Sequence, residues 1–150
     1  MDLVWHDRAF GELTAAELYA IVVLRERVFV VEQACAYLDA DGIDLVSRHV
    51  WAARGDELVA YCRLVPAGAK FAEPSIGRVI VAASARGTGL GKQLMQRAIA
   101  ALTARGAGAI RIGAQAHLEK FYGSLGFVRA SELYDEDGIP HIEMRRPAIA

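Results

Sequence analysis

The feature that most constrains this chain is a glycine-rich hexapeptide, Arg86-Gly87-Thr88-Gly89-Leu90-Gly91, set between a strand pattern and a helix pattern. Before it, Ile76-Gly77-Arg78-Val79-Ile80-Val81 is a β-branched run of the kind that fills a buried strand. After it, Leu90, Leu94, Ala98 and Leu102 recur every four residues with Ile99 beside them. Lys92, Gln93, Gln96 and Arg97 fall between, so the spacing predicts an amphipathic helix. A glycine turn that opens a helix leaves backbone N–H groups free at the positive end of the helix dipole, and glycine lets a ligand come close to the main chain. The stretch is therefore a candidate phosphate site. Tight packing of strand on helix is the plainer reading of the same glycines.

Two familiar phosphate loops fail on the residues. A Walker-type loop needs glycine five positions before Gly91-Lys92 and Ser or Thr after it, where Arg86 and Gln93 stand. A dinucleotide fingerprint needs a small residue at Lys92 or at Leu94, according to its starting glycine. What remains, Arg-Gly-x-Gly-x-Gly between strand and helix, resembles the acyl-CoA loop of the GNAT N-acetyltransferases. Phe121-Tyr122-Gly123-Ser124-Leu125-Gly126-Phe127 resembles the Tyr-x-x-x-Gly-Phe signature of the same family, a helix and a strand further on. Val28 to Gln33, Ala114-Gln115-Ala116-His117 and Glu136 to His141 look like the ElaA-like bacterial subgroup. The resemblance covers nearly the whole chain.

At 150 residues the chain has the length of one ordinary domain, residues 1–150, and its 54% hydrophobic and 23% charged residues are globular values. A net charge of −1 argues against nucleic acid and anionic membrane as partners. Cys35 and Cys62 are too few for a disulfide framework and match no zinc spacing, so no metal is expected there. Asp39 and Asp41 precede a glycine that arrives one residue too soon for a calcium loop, and Val50 fills its last position. The start carries no charged-then-apolar leader, and the apolar runs are short of a membrane span. A reduced, cytoplasmic, soluble protein is the expectation.

In chain order the pattern predicts a strand at 2–6, then a helix opened by Thr14 with Glu17 as capping box and ending before Glu32. An irregular acidic segment follows over 34–47. Strands at 48–54 and 57–65 are joined by Gly55-Asp56. The glycine-loop strand and helix come next, the helix closing near Arg105-Gly106. A strand at 109–113, a short helix at 117–122, and a last hairpin of 128–134 and 141–145 around a turn at 137–140 complete the chain. This order is α+β, a mixed sheet covered by helices. The resemblance implies the GNAT fold, with helices on both faces of the sheet and central strands that splay to seat the cofactor.

For function the resemblance implies transfer of an acetyl group from acetyl-CoA (coenzyme A) to a primary amine, a small molecule or a protein amino group, by direct attack. A non-catalytic acyl-CoA-binding or sensing module is the alternative, and a homodimer through the late strands is an expectation of the same kind. The N–H groups of Gly87, Thr88, Gly89, Leu90 and Gly91 would take the pyrophosphate, with Arg86 and Lys92 adding charge. The backbone of Val79, Ile80 and Val81 would pair with pantetheine, and Gln115 stands where the family often has a cofactor-binding Asn. Tyr122 matches the family's tyrosine beside the thioester sulfur, and a phenol of pKa near 10 suits a thiolate leaving group; a packed aromatic is its plainer reading.

The family's carboxylate base has no counterpart, since its strands offer Ile76, Ile80, Ile110 and Ile112. Glu32, His49, His117, Glu136, Asp137 and His141 are the candidates. His49 and His117 are taken as the catalytic ones because histidine titrates near working pH. Against this, His49 shares a strand face with Trp51, His117 opens a helix, and His141 follows Pro140 in a turn suited to a structural hydrogen bond. Asp39, Asp41, Asp44, Glu136 and Asp137 either attract a cationic amine or form a solvated loop face. Arg63, in an apolar strand, faces outward or pairs with an acid such as Glu32. Both cysteines read as small buried apolar groups.

Overall fold

The computed structural model describes residues 2–149. Strands β1 (Leu3–Ala9), β2 (Arg48–Arg54), β3 (Glu57–Val65) and β4 (Ser75–Val81) form one antiparallel sheet in that spatial order. Gly55, at φ +59°, makes the tight turn between β2 and β3. A second antiparallel set places β5 (Ile110–Gln115) beside β8 (Ile139–Arg146), with the short β6 (Val128–Arg129) and β7 (Tyr134–Glu136) along the other edge of β8. The main-chain link between the halves is at the start of β4 and β5, where Arg111 N–H donates to Pro74 O at 3.0 Å. Beyond it the two strands diverge.

Helix α1 (Ala15–Arg25) starts as the sequence dictates: Glu17 N–H donates to Thr14 Oγ1 at 3.1 Å and Thr14 N–H to Glu17 Oε1 at 2.9 Å. The α-helix itself ends earlier than expected, at Arg25. The chain continues as a π-helical turn, Glu26–Glu32, in which Gln33 N–H reaches Val28 O. Helix α2 (Leu90–Ala104) ends in the expected glycine cap, with Gly106 at φ +90° and Ala107 N–H on Leu102 O. Strand periodicity assigns the faces. Val50, Ala52, Ala60, Cys62 and Leu64 point to α2, where Leu94, Met95 and Ala98 are fully buried. The alternate residues, Trp51 and Tyr61 with Ile80, meet Ile21, Leu24 and Val28 on the opposite face. Helices thus cover both faces.

The last hairpin differs from expectation. Its turn is only Asp137-Gly138, at φ +53° and +80°, the two positive values that a type I′ turn requires. Pro140 lies inside β8, and the strand expected over 128–134 is two short pieces paired to different stretches of β8. The short helix expected from His117 is a 3₁₀ turn, Ala116–Leu118, followed by α3 (Glu119–Gly123). No helix among the described residues is long and apolar enough to cross a membrane.

Candidate active site

A cavity of about 530 Å³ fills the gap where β4 and β5 part. Its walls are β4 from Ser75 to Val81, the ends of β5 and β8 with Gln115 and His141, the π-helical turn with Phe29, and Tyr122 from α3. One wall is shaped by a bulge. Tyr61 pairs with Ile80 and Arg63 with Gly77, so Arg78 and Val79 oppose the single residue Cys62. Arg78 sits there at φ +51°, a strained value for a residue with a Cβ. The bulge lifts the main chain at Arg78 and Val79 out of the β3 ladder, beside a β4 edge that β5 leaves open.

The glycine loop follows the cavity-lining Val81 and Arg86 in the chain, and residues 87–92 themselves do not line the cavity. Gly87 and Gly89 stand at φ +78° and +80°, and Gly89 is the residue that caps α2. Thr88 Oγ1 donates to Ala85 O at 2.6 Å and pins the loop. Among the described residues, the N–H groups of 87–92 find no main-chain acceptor, and the first that does is Gln93, on Gly89 O at 3.2 Å. Leu90 is buried in the core as a whole residue and anchors the loop to the sheet. At Gly91 a Cβ would make only ordinary contacts, 3.5 Å from Val81 Cγ2 and 3.8 Å from Phe121 Cζ, so packing alone does not demand glycine there. Six free donors at a helix mouth, in line with an open strand edge, fit the diphosphate and pantetheine of an acyl-CoA.

Two expected contributors to that charge behave differently. Arg86 turns away from the loop: Nη2 lies 2.8 Å from Glu32 Oε2 and Nε donates to Val81 O at 3.0 Å. Lys92 is exposed at the start of α2.

Tyr122 is 7% exposed, edge-on to Phe121 and Phe127 with ring centroids at 5.1 and 6.1 Å. Burial pushes its phenol up to about 12, with the nearby Cys62 thiol adding to the effect, so the hydroxyl stays a proton donor at neutral pH. The two histidines favoured by the sequence do not join it. His49 is completely buried between Tyr61 OH, 2.7 Å from Nδ1, and Asp44 O, 3.0 Å from Nε2, outside the cavity, and burial lowers its pKa. His117 is exposed on the 3₁₀ turn and also lies outside. A base at either position has no line to the cavity. His141 lines it instead: Ile139 O accepts from Nδ1 at 2.7 Å, and Nε2 lies 3.1 Å from Glu136 Oε2.

The acids of the 34–47 segment are engaged by arginines rather than free for a ligand, although Asp41 keeps an exposed flank on the cavity. Arg25 holds Asp39 and Asp44, each at 2.7 Å; Arg63 holds Asp41 at 2.7 Å and Asp44 at 3.0 Å; Arg78 holds Asp39 at 2.9 Å. Hydrogen bonds from Arg63 hold the Asp41 carboxyl well below the usual carboxylate range. Burial opposes ionisation of Asp44, but the bonds and charges of Arg25 and Arg63 prevail and lower it too. Arg63 therefore pairs with Asp41 and Asp44, while Glu32 serves Arg86. Arg25 and Arg78 were not singled out by sequence reasoning. The signal for Arg25 was present, since a charged residue in the apolar stripe Leu18, Ile21, Val22, Arg25, Phe29 requires a partner.

Known proteins resemble this chain in sequence and in fold. A family model for the acetyltransferase (GNAT) domain matches residues 28–147. Protein ElaA of Escherichia coli is 45% identical over 148 residues, covering 97% of both chains. A solved acyl-CoA N-acyltransferase from Pseudomonas aeruginosa superposes with a TM-score of 0.92 at 45% identity, over 97% of this chain and 99% of that one. The crystal structure of Escherichia coli ElaA gives 0.90 at 44%, over 97% and 99%.

Proposed function

The chain belongs to the GNAT acetyltransferase family, and from that premise we propose that it moves an acetyl group from acetyl-CoA to a primary amine by direct attack. The observation that carries this reading is the alignment of three features: free N–H donors at 87–92, an open β4 edge, and a protonated Tyr122 on the wall of the same gap. Bound acetyl-CoA supplies an activated acyl carbon. The main chain of Gly87 to Gly91 binds its diphosphate, and the β4 backbone at Val79 to Val81 orients its pantetheine arm. Gln115, at the end of β5 and facing the cavity, offers an amide to the same arm. Holding both reactants in line supplies much of the rate. Tyr122 gives its proton to the departing sulfur.

Release of free thiol from acetyl-CoA in the presence of an amine panel tests the proposal. Tyr122→Phe is expected to lower turnover by roughly 10²–10⁴ while leaving acetyl-CoA affinity unchanged; unaltered turnover removes Tyr122 from the chemistry. The alternative, a binding or sensing module, is favoured by the isoleucines that occupy the strands where a carboxylate base would stand. Tight acetyl-CoA binding without turnover of any amine decides for it.

A further inference from the structure

Three carboxylates line the cavity, Asp41, Glu136 and Asp137. Asp41 is committed to Arg63 and Arg78, leaving the hairpin pair as the acids that no arginine claims. Glu136 is the better placed. Its side chain is half exposed, and its Oε2 lies 3.1 Å from Nε2 of His141, whose own exposure is 10%. The Ile139 carbonyl receives the other ring nitrogen at 2.7 Å, which fixes the imidazole plane and aims Nε2 at the carboxylate. The Tyr134 ring packs against His141 with centroids 5.8 Å apart. The tight Asp137-Gly138 turn and the contact of Cys35 Sγ with Asp137 O at 3.4 Å hold the hairpin against the 34–47 segment. Lys70, from the connection between β3 and β4, also lines the cavity and its charge couples to Glu136, while Arg63, Arg78 and Arg86 are the other basic groups of the lining. Glu136 thus lines the same cavity as Ile76, Ile80 and Ile112, isoleucines on the strands where a carboxylate base would stand.

Resting on the transferase reading above, we infer that Glu136 is the residue that receives the acceptor's ammonium and takes its proton, with His141 as the positioning residue. The acceptor class is accordingly a primary amine that arrives protonated. In the step, an ammonium N–H bond breaks and its proton goes to the Glu136 carboxylate. The lone pair left on nitrogen forms the N–C bond as the C–S bond breaks, the acylated nitrogen sheds a second proton to water to become the neutral amide, and Tyr122 protonates the sulfur. Glu136, open to solvent on one side, returns its proton to water, and Tyr122 is reprotonated from the same source. The balance is one amide, one thiol and one released proton.

The test uses 1,3-diaminopropane as the probe amine. By NMR titration the full-length protein should bind it with shifts at 134–141, and Glu136→Gln should weaken that binding at least tenfold. Equal binding by both proteins, or none by the unmodified one, overturns the assignment. In the thiol-release assay Glu136→Gln should lower kcat/KM by roughly 10²–10³ near neutral pH, the deficit closing as pH approaches the amine's own pKa. Glu136→Asp should recover part of it, and acetyl-CoA affinity should not change. A loss that is uniform across pH marks a purely structural role and also overturns the proposal. His141→Asn should cost about tenfold and move the acid limb of the profile to higher pH; an unmoved limb denies His141 its part. Amine binding that depends on Glu136 without any acetyl-CoA turnover leaves Glu136 as the ammonium site and overturns the transferase reading instead.

Discussion

Two polar clusters flank one cavity and are wired differently. On the α1 side, three arginines and three aspartates pair with one another, Arg25, Arg63 and Arg78 against Asp39, Asp41 and Asp44 at distances of 2.7 to 3.4 Å, with Arg63 Nε and Arg78 Nε buried and left without a hydrogen bond among the described residues. At the mouth of α2, the N–H groups of 87–92 have no protein acceptor among the described residues. The first cluster tethers the irregular 34–47 segment to the sheet. The second leaves its donors open. The contrast is one of degree: nearly every charge of the first cluster has a partner within the protein, whereas the donors of the second have none.

The largest effect that can break this contrast is expected at Asp44, which bridges Arg25 and Arg63. Asp44→Ala leaves two buried guanidinium groups short of a partner and should cost about 3–5 kcal/mol of stability, measured by chemical denaturation. A change below about 1 kcal/mol would mean that the network is ornamental. Acid sharpens the same point. Asp41 and Asp44 have lowered folded-state pKa values, so their stabilisation is complete above the unfolded carboxylate range and is lost as pH falls below about 4. The melting temperature of the unmodified protein should therefore fall on acidification more steeply than that of Asp44→Ala. Equal slopes reject the ionic account.

The next effect is at the open cluster. Gly89→Glu puts a carboxylate among the free donors and a Cβ at φ +80°. Acetyl-CoA affinity, by calorimetry, should drop on the order of 10²-fold, with only about 1–2 kcal/mol of stability lost to the left-handed backbone. Full affinity would move the diphosphate elsewhere. The smallest effect is at Arg86, whose pair with Glu32 is exposed on both sides. Arg86→Ala should change affinity less than about fivefold and stability by about 0–1 kcal/mol. A larger loss of affinity would show that Arg86 leaves Glu32 to meet the phosphates.

Much of this was legible in the chain itself, because the signals are local. The β-branched run, the glycines and the fourfold spacing after Leu90 dictate a strand, a phosphate-type turn and an amphipathic helix within some thirty residues. The Thr14–Glu17 capping box and the Gly55 turn are equally short-range, and Tyr122 followed from its motif. What sequence could not show depends on contacts between distant positions. Asp44 meets Arg63 across 19 residues and Arg25 across the same separation, and Arg111 meets Glu73 across 38. Nothing local distinguishes the sealed His49 from the cavity-lining His141. Which face of a strand meets a helix, and where two strands diverge, decides that, so the histidines that looked apt for catalysis proved to lie away from the cavity. The π-helical turn and the bulge at Arg78 belong to the same class, since both are backbone conformations that propensity disfavours and that only the surrounding tertiary contacts hold in place.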